Sequence, residues 1–180
     1  MRLFFATPAD PETKDEALAA IARLRTGPGE YRWSAREDLH TTLRFVGETS
    51  ETERPALEAL LRRVAAETPP FDVLYGAIGA FDSFDDPRVI WLGLREGTDA
   101  LGRLATALGR DEPRPFRAHL TLGYRRGDRS PASVGPFLRA QPASTLRRTV
   151  RTVALFESAP RRVEPAYRML LEAPLQGEAL

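Results

Sequence analysis

The spacing of hydrophobic and polar residues changes along the chain, and each change predicts a new element. Residues 2–6, RLFFA, form the short apolar run of a buried strand. Asp10 followed by Pro11 predicts a helix start, because aspartate caps free backbone N–H groups and proline fits the first helical position. That helix runs to about Arg25, with apolar side chains at helical spacing on one face: Ala17, Leu18, Ile21 and Leu24.

Residues 38–46 alternate with the two-residue period of a strand. The alternation predicts one face with Leu39, Thr41, Leu43 and Phe45, and an opposite face with His40, Thr42 and Arg44. Residues 116–124 form a second strand of the same kind, with His119 and Thr121 on one face.

The remaining pattern predicts two further helices and two pairs of strands. The helices lie at about 53–67 and 98–110, a hairpin joins strands 71–80 and 88–95 around a turn at 82–87, and strands near 149–157 and 166–172 flank a turn at 158–165. This mixed order favours an α+β fold with antiparallel pairing over a doubly wound parallel sheet.

The same order of elements occurs in each half of the chain, where a helix and a loop lead into a histidine strand. His40 and His119 lie 79 residues apart, close to half of the 180-residue chain. We therefore expect a single domain over residues 1–180 with two related lobes, each contributing one histidine strand.

Composition narrows the possible chemistry. The formal net charge is +1, so no strong overall field attracts nucleic acid or an anionic membrane. Only Lys14 among the 26 basic residues is a lysine, so the arginine content reflects a general compositional bias and is weak evidence for RNA binding. With no cysteines, disulfides, zinc thiolate sites and cysteine nucleophiles are excluded. No signal peptide and no membrane span are recognisable, which predicts a soluble cytoplasmic protein.

Both histidines occur in the same frame, His-x-Thr-Leu. On a strand, His40 shares a face with Thr42, and His119 shares a face with Thr121. If both strands face one cleft, a neutral imidazole can take a proton from water while a protonated one gives a proton to a leaving oxygen. Threonine hydroxyls can donate hydrogen bonds to the non-bridging oxygens of a phosphodiester. The arrangement requires neither a metal nor a cofactor.

The paired motifs resemble those of the two-histidine (2H) phosphoesterases. Within that superfamily the chain is most similar to the bacterial RNA 2′,3′-cyclic phosphodiesterases, also called 2′-5′ RNA ligases. The similarity covers most of the chain and rests on RLFFA, LHTTLRFVGE, RVIWLGL, PFRAHLTL and the tail pattern LFES followed by YRMLL.

The resemblance implies a bilobal α+β fold with a pseudo-twofold axis and a central cleft. It implies hydrolysis of an RNA-terminal or nucleoside 2′,3′-cyclic phosphate to the 2′-phosphomonoester, by a protein that acts as a monomer. Some relatives join or cleave 2′-5′ RNA linkages, which stays an alternative activity. The family motif is carried over at four positions: His40, Thr42, His119 and Thr121.

One position departs from the family pattern. The family often has arginine five residues after the second histidine, where this chain has Tyr124, followed by Arg125. The same offset from the first histidine is Phe45. A β-bulge is needed to turn an odd offset to the histidine face. With bulges, Phe45 and Tyr124 can stack on a base, and Arg125 is a candidate replacement for the missing guanidinium.

The sequence suggests His119 as the base that activates water and His40 as the acid that protonates the 3′ oxygen, although a near-symmetric pair gives little basis for this order. One alternative is an RNA-binding protein with a degenerate site, using a basic rim near the second motif: Arg114, Arg117, Arg125, Arg126 and Arg129. Another is a metal-dependent hydrolase that uses Asp82, Asp85 and Asp86, although aspartate is common in such a turn.

Overall fold

A computed structural model describes residues 1–158 and 166–178. Within them the chain forms nine strands and four α-helices. The strands are β1 (Arg2–Pro8), β2 (Tyr31–Trp33), β3 (His40–Glu48), β4 (Phe71–Phe81), β5 (Val89–Glu96), β6 (His119–Arg125), β7 (Arg147–Val150), β8 (Thr152–Ser158) and β9 (Tyr167–Pro174). The helices are α1 (Pro11–Leu24), α2 (Arg54–Glu67), α3 (Thr98–Ala107) and α4 (Val134–Arg139).

All nine strands belong to one antiparallel sheet, which confirms the predicted α+β class. The order is β7-β4-β5-β6-β3-β1-β8-β9, with β2 paired to β6. The two histidine strands, β3 and β6, are neighbours in the middle of this order. Outward from them, each half continues with a neighbouring strand, a third strand and an edge strand. The two related halves expected from the sequence are therefore present as the halves of one continuous sheet.

The main hydrophobic core lies between one face of the sheet and the helices. All four helices contribute buried side chains to it, among them Ile21, Leu61, Leu104 and Leu138. The strands contribute the alternate residues of their helix-facing side, for example Leu43 and Leu122 in the central pair. The histidine face of the sheet is only partly covered.

Most predicted elements are present with boundaries shifted by a few residues. Asp10 caps α1 as expected, because its side chain accepts a hydrogen bond of 2.8 Å from the backbone N–H of Thr13. The hairpin of β4 and β5 is also confirmed, with Phe81 opposite Val89 at its turn end. The predicted strand at 149–157 is instead two strands, β7 and β8, which lie at different places in the sheet.

The pattern missed β2 and α4, since three and six residues are too short to show a period. Of the predicted turn at 158–165, residues 159–165 lie outside the described part of the chain. Among residues 1–158 and 166–178, the structure contains no helix long and apolar enough to cross a membrane.

Candidate active site

The two His-x-Thr motifs meet where β3 and β6 pair. Thr41 lies opposite Leu120 in this antiparallel pair. In such a register the neighbouring positions match crosswise, so His40 lies beside Thr121 and Thr42 beside His119. Residues opposite each other in antiparallel strands have Cα atoms about 4.5–5.5 Å apart. The fold thus brings the four predicted catalytic side chains together on one face of the sheet.

Both histidine strands carry a bulge at the same offset from the histidine. In β3 the partners of Thr42 and Arg44 on β1 are consecutive, so Leu43 is the extra residue. In β6 the partners of Thr121 and Gly123 on β5 are consecutive, so Leu122 is the extra residue. The bulge that the sequence required is therefore present in each half, three residues after each histidine.

The bulge changes which side chains reach the histidine face. Arg44, expected beside His40, turns to the helix side, where its guanidinium donates a 2.6 Å hydrogen bond to the carbonyl of Leu108 at the end of α3. Phe45, expected on the core side, lies opposite Phe4 and is 69% exposed. Strict alternation was thus wrong for these two residues, because the extra residue reverses the facing of the residues that directly follow it.

Each imidazole is held through the same backbone contact. Nδ1 of His40 lies 2.6 Å from the carbonyl oxygen of Asp38, and Nδ1 of His119 lies 2.7 Å from that of Arg117. A carbonyl can only accept, so both Nδ1 atoms carry hydrogen and donate. The neutral rings consequently present an unprotonated Nε2. At His40 this atom lies 3.0 Å from the Thr42 hydroxyl, which donates to it.

Aromatic rings surround the two histidines. His40 lies against Phe4, Phe156 and Tyr167, with ring centroids 5.0, 5.7 and 4.9 Å away. The residues Phe4 and Phe156 are part of a small second apolar cluster, with Tyr167 packed against it. His119 lies 5.0 Å from Phe81, which meets it edge to face, and 5.9 Å from Trp91.

These surroundings lower the pKa of both histidines. At His40, burial lowers the pKa from 6.5 to about 4, assisted by the nearby His119 and opposed by the hydrogen bond to the Asp38 carbonyl. At His119, burial again lowers the pKa, assisted by the Arg117 charge and opposed by the bond to the Arg117 carbonyl. Both effects disfavour the charged imidazolium. The two rings are therefore mainly neutral at pH 7 in the free protein.

A cleft of about 570 Å³ opens at the His119 side of this group. Thr42 and His119 line it together with three aromatic residues, Phe45, Phe81 and Phe116. Arginines and carboxylates complete its wall: Asp82, Arg110, Glu112, Arg114 and Arg117. The cleft therefore combines one of the two imidazoles, that of His119, with apolar surfaces and positive charge.

A larger cavity of about 720 Å³ lies elsewhere, around the ion pair of Asp10 and Arg148. Thr41 lines it, and that side chain is on the opposite face of β3 from His40. None of the four motif side chains lines this larger cavity. The candidate site is therefore identified by its two histidines and two threonines and not by the size of the cavity.

The three predicted substrate contacts are placed differently from one another. Phe45 lines the cleft, whereas Tyr124 lies at the other end of the paired strands, near Tyr167. Because β3 and β6 are antiparallel, Phe45 and Tyr124 lie in opposite directions from the Thr41–Leu120 pair, each about 10 Å away along its strand. The structure does not place Phe45 and Tyr124 face to face around one base.

Arg125 is not brought to the histidines. Its side chain is only 9% exposed and forms an ion pair with Asp86, whose carboxylate also accepts a 2.9 Å bond from the Ser130 N–H. It therefore does not take the place of the guanidinium that the family often has at the preceding position. The ion pair instead joins the turn between β4 and β5 to β6.

The three aspartates of the predicted metal alternative each lie beside a different arginine. Asp82 is 3.6 Å from Arg88, Asp85 is 3.0 Å from Arg139, and Asp86 pairs with Arg125. Within the described residues, no three His, Cys, Asp or Glu side chains are arranged to hold a metal ion.

Sequence reasoning missed the aromatic residues around the histidines, Tyr167 above all. Tyr167 belongs to β9, about 130 residues from His40 along the chain. Nothing in a local pattern reports such a contact. The segments RLFFA, LFES and YRMLL do contain Phe4, Phe156 and Tyr167, so the family resemblance was the available signal.

Comparisons with known proteins confirm that resemblance. The family model described as the 2′-5′ RNA ligase superfamily matches residues 11–161. An RNA 2′,3′-cyclic phosphodiesterase of Archaeoglobus fulgidus is 33% identical over 130 residues, covering 68% of this chain and 72% of that protein. One from Thermus thermophilus is 32% identical and covers 99% of this chain and 92% of that protein.

Solved structures agree in fold. A crystal structure of TT0787 of Thermus thermophilus superposes with a TM-score of 0.83 at 28% identity, over 99% of this chain and 100% of that one. Escherichia coli LigT complexed with 3′-AMP gives a TM-score of 0.74 at 26% identity, over 97% of this chain and 96% of that one.

Proposed function

Since the chain belongs to the 2′-5′ RNA ligase superfamily, we propose that it hydrolyses RNA or nucleoside 2′,3′-cyclic phosphates to 2′-phosphomonoesters. The observation that carries this proposal is the crosswise pairing of the two His-x-Thr motifs at Thr41 and Leu120. The relatives named RNA 2′,3′-cyclic phosphodiesterase and the LigT complex with 3′-AMP support the substrate class.

The proposed reaction uses one histidine on each side of the phosphorus. One neutral Nε2 takes a proton from water as the water oxygen attacks phosphorus, and the bond from phosphorus to the 3′ oxygen breaks. The other imidazole, protonated, gives its proton to that leaving oxygen. Thr121 and Thr42, whose hydroxyl turns from His40 Nε2 to the substrate on binding, donate hydrogen bonds to the non-bridging oxygens, where negative charge increases during attack.

Substrate binding favours uptake from solvent of the proton that the free protein lacks. Both histidine pKa values lie below 6.5 without substrate. The negative charge of a bound phosphodiester favours the imidazolium and raises these pKa values. One of the two histidines then carries a proton beside the leaving oxygen.

The direction of proton transfer depends on two opposing considerations. The sequence-based assignment gives His119 as base and His40 as acid. The larger pKa decrease at His40 favours the reverse order, because the more strongly desolvated ring keeps a proton less readily. We therefore propose the pair without assigning the acid and the base. A substrate whose leaving group needs no proton distinguishes the two roles.

The first experiment tests the pair itself. His40→Ala and His119→Ala should each lower kcat for adenosine 2′,3′-cyclic phosphate at least about 100-fold, the lower end of what positioned acid–base groups contribute. Thr42→Ala and Thr121→Ala should also lower kcat, whereas Thr149→Ala on the edge strand β7 is the matched control. Product identification must give the 2′-phosphate. Near-normal turnover in either histidine variant contradicts the mechanism.

The same variants assign the acid and the base. A p-nitrophenyl ester of a nucleoside phosphate releases an anion that needs no proton. The variant lacking the acid should keep most of its activity on this ester, and the variant lacking the base should lose it. Salt-dependent RNA binding without turnover in the wild type would instead favour the RNA-binding alternative.

A 2′-5′ transfer is the second candidate, because the description of the matching family includes RNA ligase. The same acid–base pair accepts a ribose hydroxyl in place of water. Incubating RNA ending in a 2′,3′-cyclic phosphate with RNA bearing a free 5′ hydroxyl, followed by linkage analysis, tests it.

A further inference from the structure

The two ends of the paired histidine strands differ in their surroundings. At the Tyr124 end, Tyr167 lies near Tyr124, and the Arg32 guanidinium lies 5.2 Å from the Tyr124 ring centroid. At the Phe45 end, the 570 Å³ cleft is open. This cleft gives a nucleotide whose phosphate lies between the histidines room to extend toward Phe45 and the loop before β6.

A second hollow lies next to this cleft, beside α3. The second hollow measures about 710 Å³ and is lined by α3 and by the loop that follows it. The two cavities share one wall: Arg110, Glu112, Arg114, Pro115 and Phe116. We refer to the two cavities together as the α3 groove. The Phe116 ring borders both parts of it.

The α3 groove carries more positive charge than the molecule as a whole. Four arginines line it, Arg103, Arg110, Arg114 and Arg117, against the carboxylates Asp82 and Glu112. The complete chain has a net charge of only +1. The groove is thus a local site for an anion on an almost neutral protein.

One of the four arginines stabilises the loop after α3, and the other three are free to contact an anion. Arg110 donates hydrogen bonds of 2.9 Å to the Arg114 carbonyl and 3.2 Å to Glu112, and it lies 5.5 Å from the Phe116 ring centroid. Arg103, Arg114 and Arg117 are exposed, and no salt bridge within the described residues involves them. Arg117 lies over the rings of Phe81 and Trp91, at 5.9 and 5.8 Å.

We propose that the α3 groove binds the nucleotide that precedes the terminal 2′,3′-cyclic phosphate, so that the protein selects RNA ends over mononucleotides. Phe116 stacks on the base of that nucleotide, and Arg114 and Arg117 bind the phosphate that joins it to the terminal residue. Sequence-independent stacking and phosphate contacts are the usual means of holding single-stranded RNA. This inference rests on the proposed hydrolase activity.

The test compares three substrates that differ by one group at a time. Adenosine 2′,3′-cyclic phosphate (A>p) has no upstream group, its 5′-phosphorylated form (pA>p) adds the phosphate, and the dinucleotide ApA>p adds the second base. We expect kcat/KM to rise at each step in the wild type. The rise from A>p to pA>p should weaken with added salt, with a difference in log–log slope of about 0.7 for one phosphate contact.

Variants assign the steps to residues. Arg114→Ala should lower the pA>p to A>p ratio of kcat/KM about tenfold, and Arg114→Lys should restore most of it, since the charge is kept. Phe116→Leu should lower the ApA>p to pA>p ratio about fivefold, and Phe116→Trp should keep that ratio. Arg23→Ala, on the exposed side of α1, removes the same charge elsewhere and should change neither ratio.

Two outcomes would overturn the inference. One is a wild type that hydrolyses all three substrates with equal kcat/KM. The other is a set of variants in which the ratios stay constant although folding, checked by circular dichroism, is intact. Failure of the proposed function differs from both, because none of the three substrates would then be hydrolysed.

Discussion

At the scale of single residues, the two histidines differ in how strongly their surroundings oppose a charge. Three aromatic rings and Thr42 surround His40, whereas His119 borders an open cleft. Burial is the main cause of the lowered pKa at both sites. A lowered histidine pKa means that the neutral ring predominates above it and that the charged ring appears only below it.

This predicts the pH dependence of catalysis. The active form needs one neutral and one protonated histidine, and both pKa values lie below 6.5 in the free protein. The bell-shaped profile of kcat/KM should therefore be centred below pH 6.5 and fall as the pH rises through neutrality. The profile of kcat should lie at higher pH, because bound phosphate raises the pKa values.

The chain has only two histidines, so NMR titration of the ring signals checks the same prediction without turnover. A His119→Ala variant assigns the signals. The His40 signal should titrate near pH 4, below that of His119. Titration of both rings at 6.5 would contradict the burial that the structure shows.

At the scale of elements, the bulges at Leu43 and Leu122 determine which residues face the substrate. The one at Leu43 moves Phe45 to the cleft and Arg44 to the end of α3. Beyond the one at Leu122, Tyr124 reaches Tyr167, and Arg125 reaches Asp86. Arg125 thus makes a contact between β6 and the turn after β4, and its substrate role stays a prediction.

Arg125→Ala should therefore affect stability more than substrate binding. Loss of the ion pair with Asp86 should lower the melting temperature by about 2–4 °C, the shift that roughly 1 kcal/mol causes in a chain of this size. The KM for A>p should stay unchanged. Arg126→Ala, the exposed neighbour, is the matched control for both measurements. A raised KM at an unchanged melting temperature would indicate that Arg125 contacts substrate.

At the scale of the whole molecule, one ion pair joins distant parts of the fold. Arg148 of β7, an edge strand, lies 2.7 Å from Asp10 and 3.0 Å from Glu12 at the start of α1. Burial raises the pKa of Asp10, but hydrogen bonds from Thr13 and Arg148 outweigh it, so the pKa is lowered. Because the pKa of Asp10 is lowered, its ionised carboxylate stabilises the fold at every pH above the ordinary pKa of 3.8. This stabilisation is lost as the pH falls through the lowered pKa.

Two substitutions at Asp10 separate its two roles. Asp10→Asn keeps an acceptor for the helix cap and loses the ion pair, whereas Asp10→Ala loses both and should cost about 1 kcal/mol more. Urea unfolding at pH 7 and at pH 3 measures the difference. The difference in free energy of unfolding between wild type and Asp10→Asn should be larger at pH 7 than at pH 3. In an Arg148→Ala background this difference should be absent at both pH values. An equal gap at both pH values would contradict the role of the charge.

Local patterns in the chain were enough to predict most elements and to single out the candidate site residues. Periodicity indicated the histidine strands and the capped helix at Asp10, because those signals depend on neighbours within a few residues. The repeated His-x-Thr frame indicated the four side chains His40, Thr42, His119 and Thr121, since strand geometry alone puts each pair on one face.

Contacts between distant segments set the rest. The pairing of Thr41 with Leu120 produced the crosswise arrangement of the two motifs. The bulged ladders set the facing of Phe45 and Arg44. The packing of β9 brought Tyr167 to His40 and to Tyr124. Such contacts join residues far apart in the chain, so only the folded molecule records them and no local pattern does.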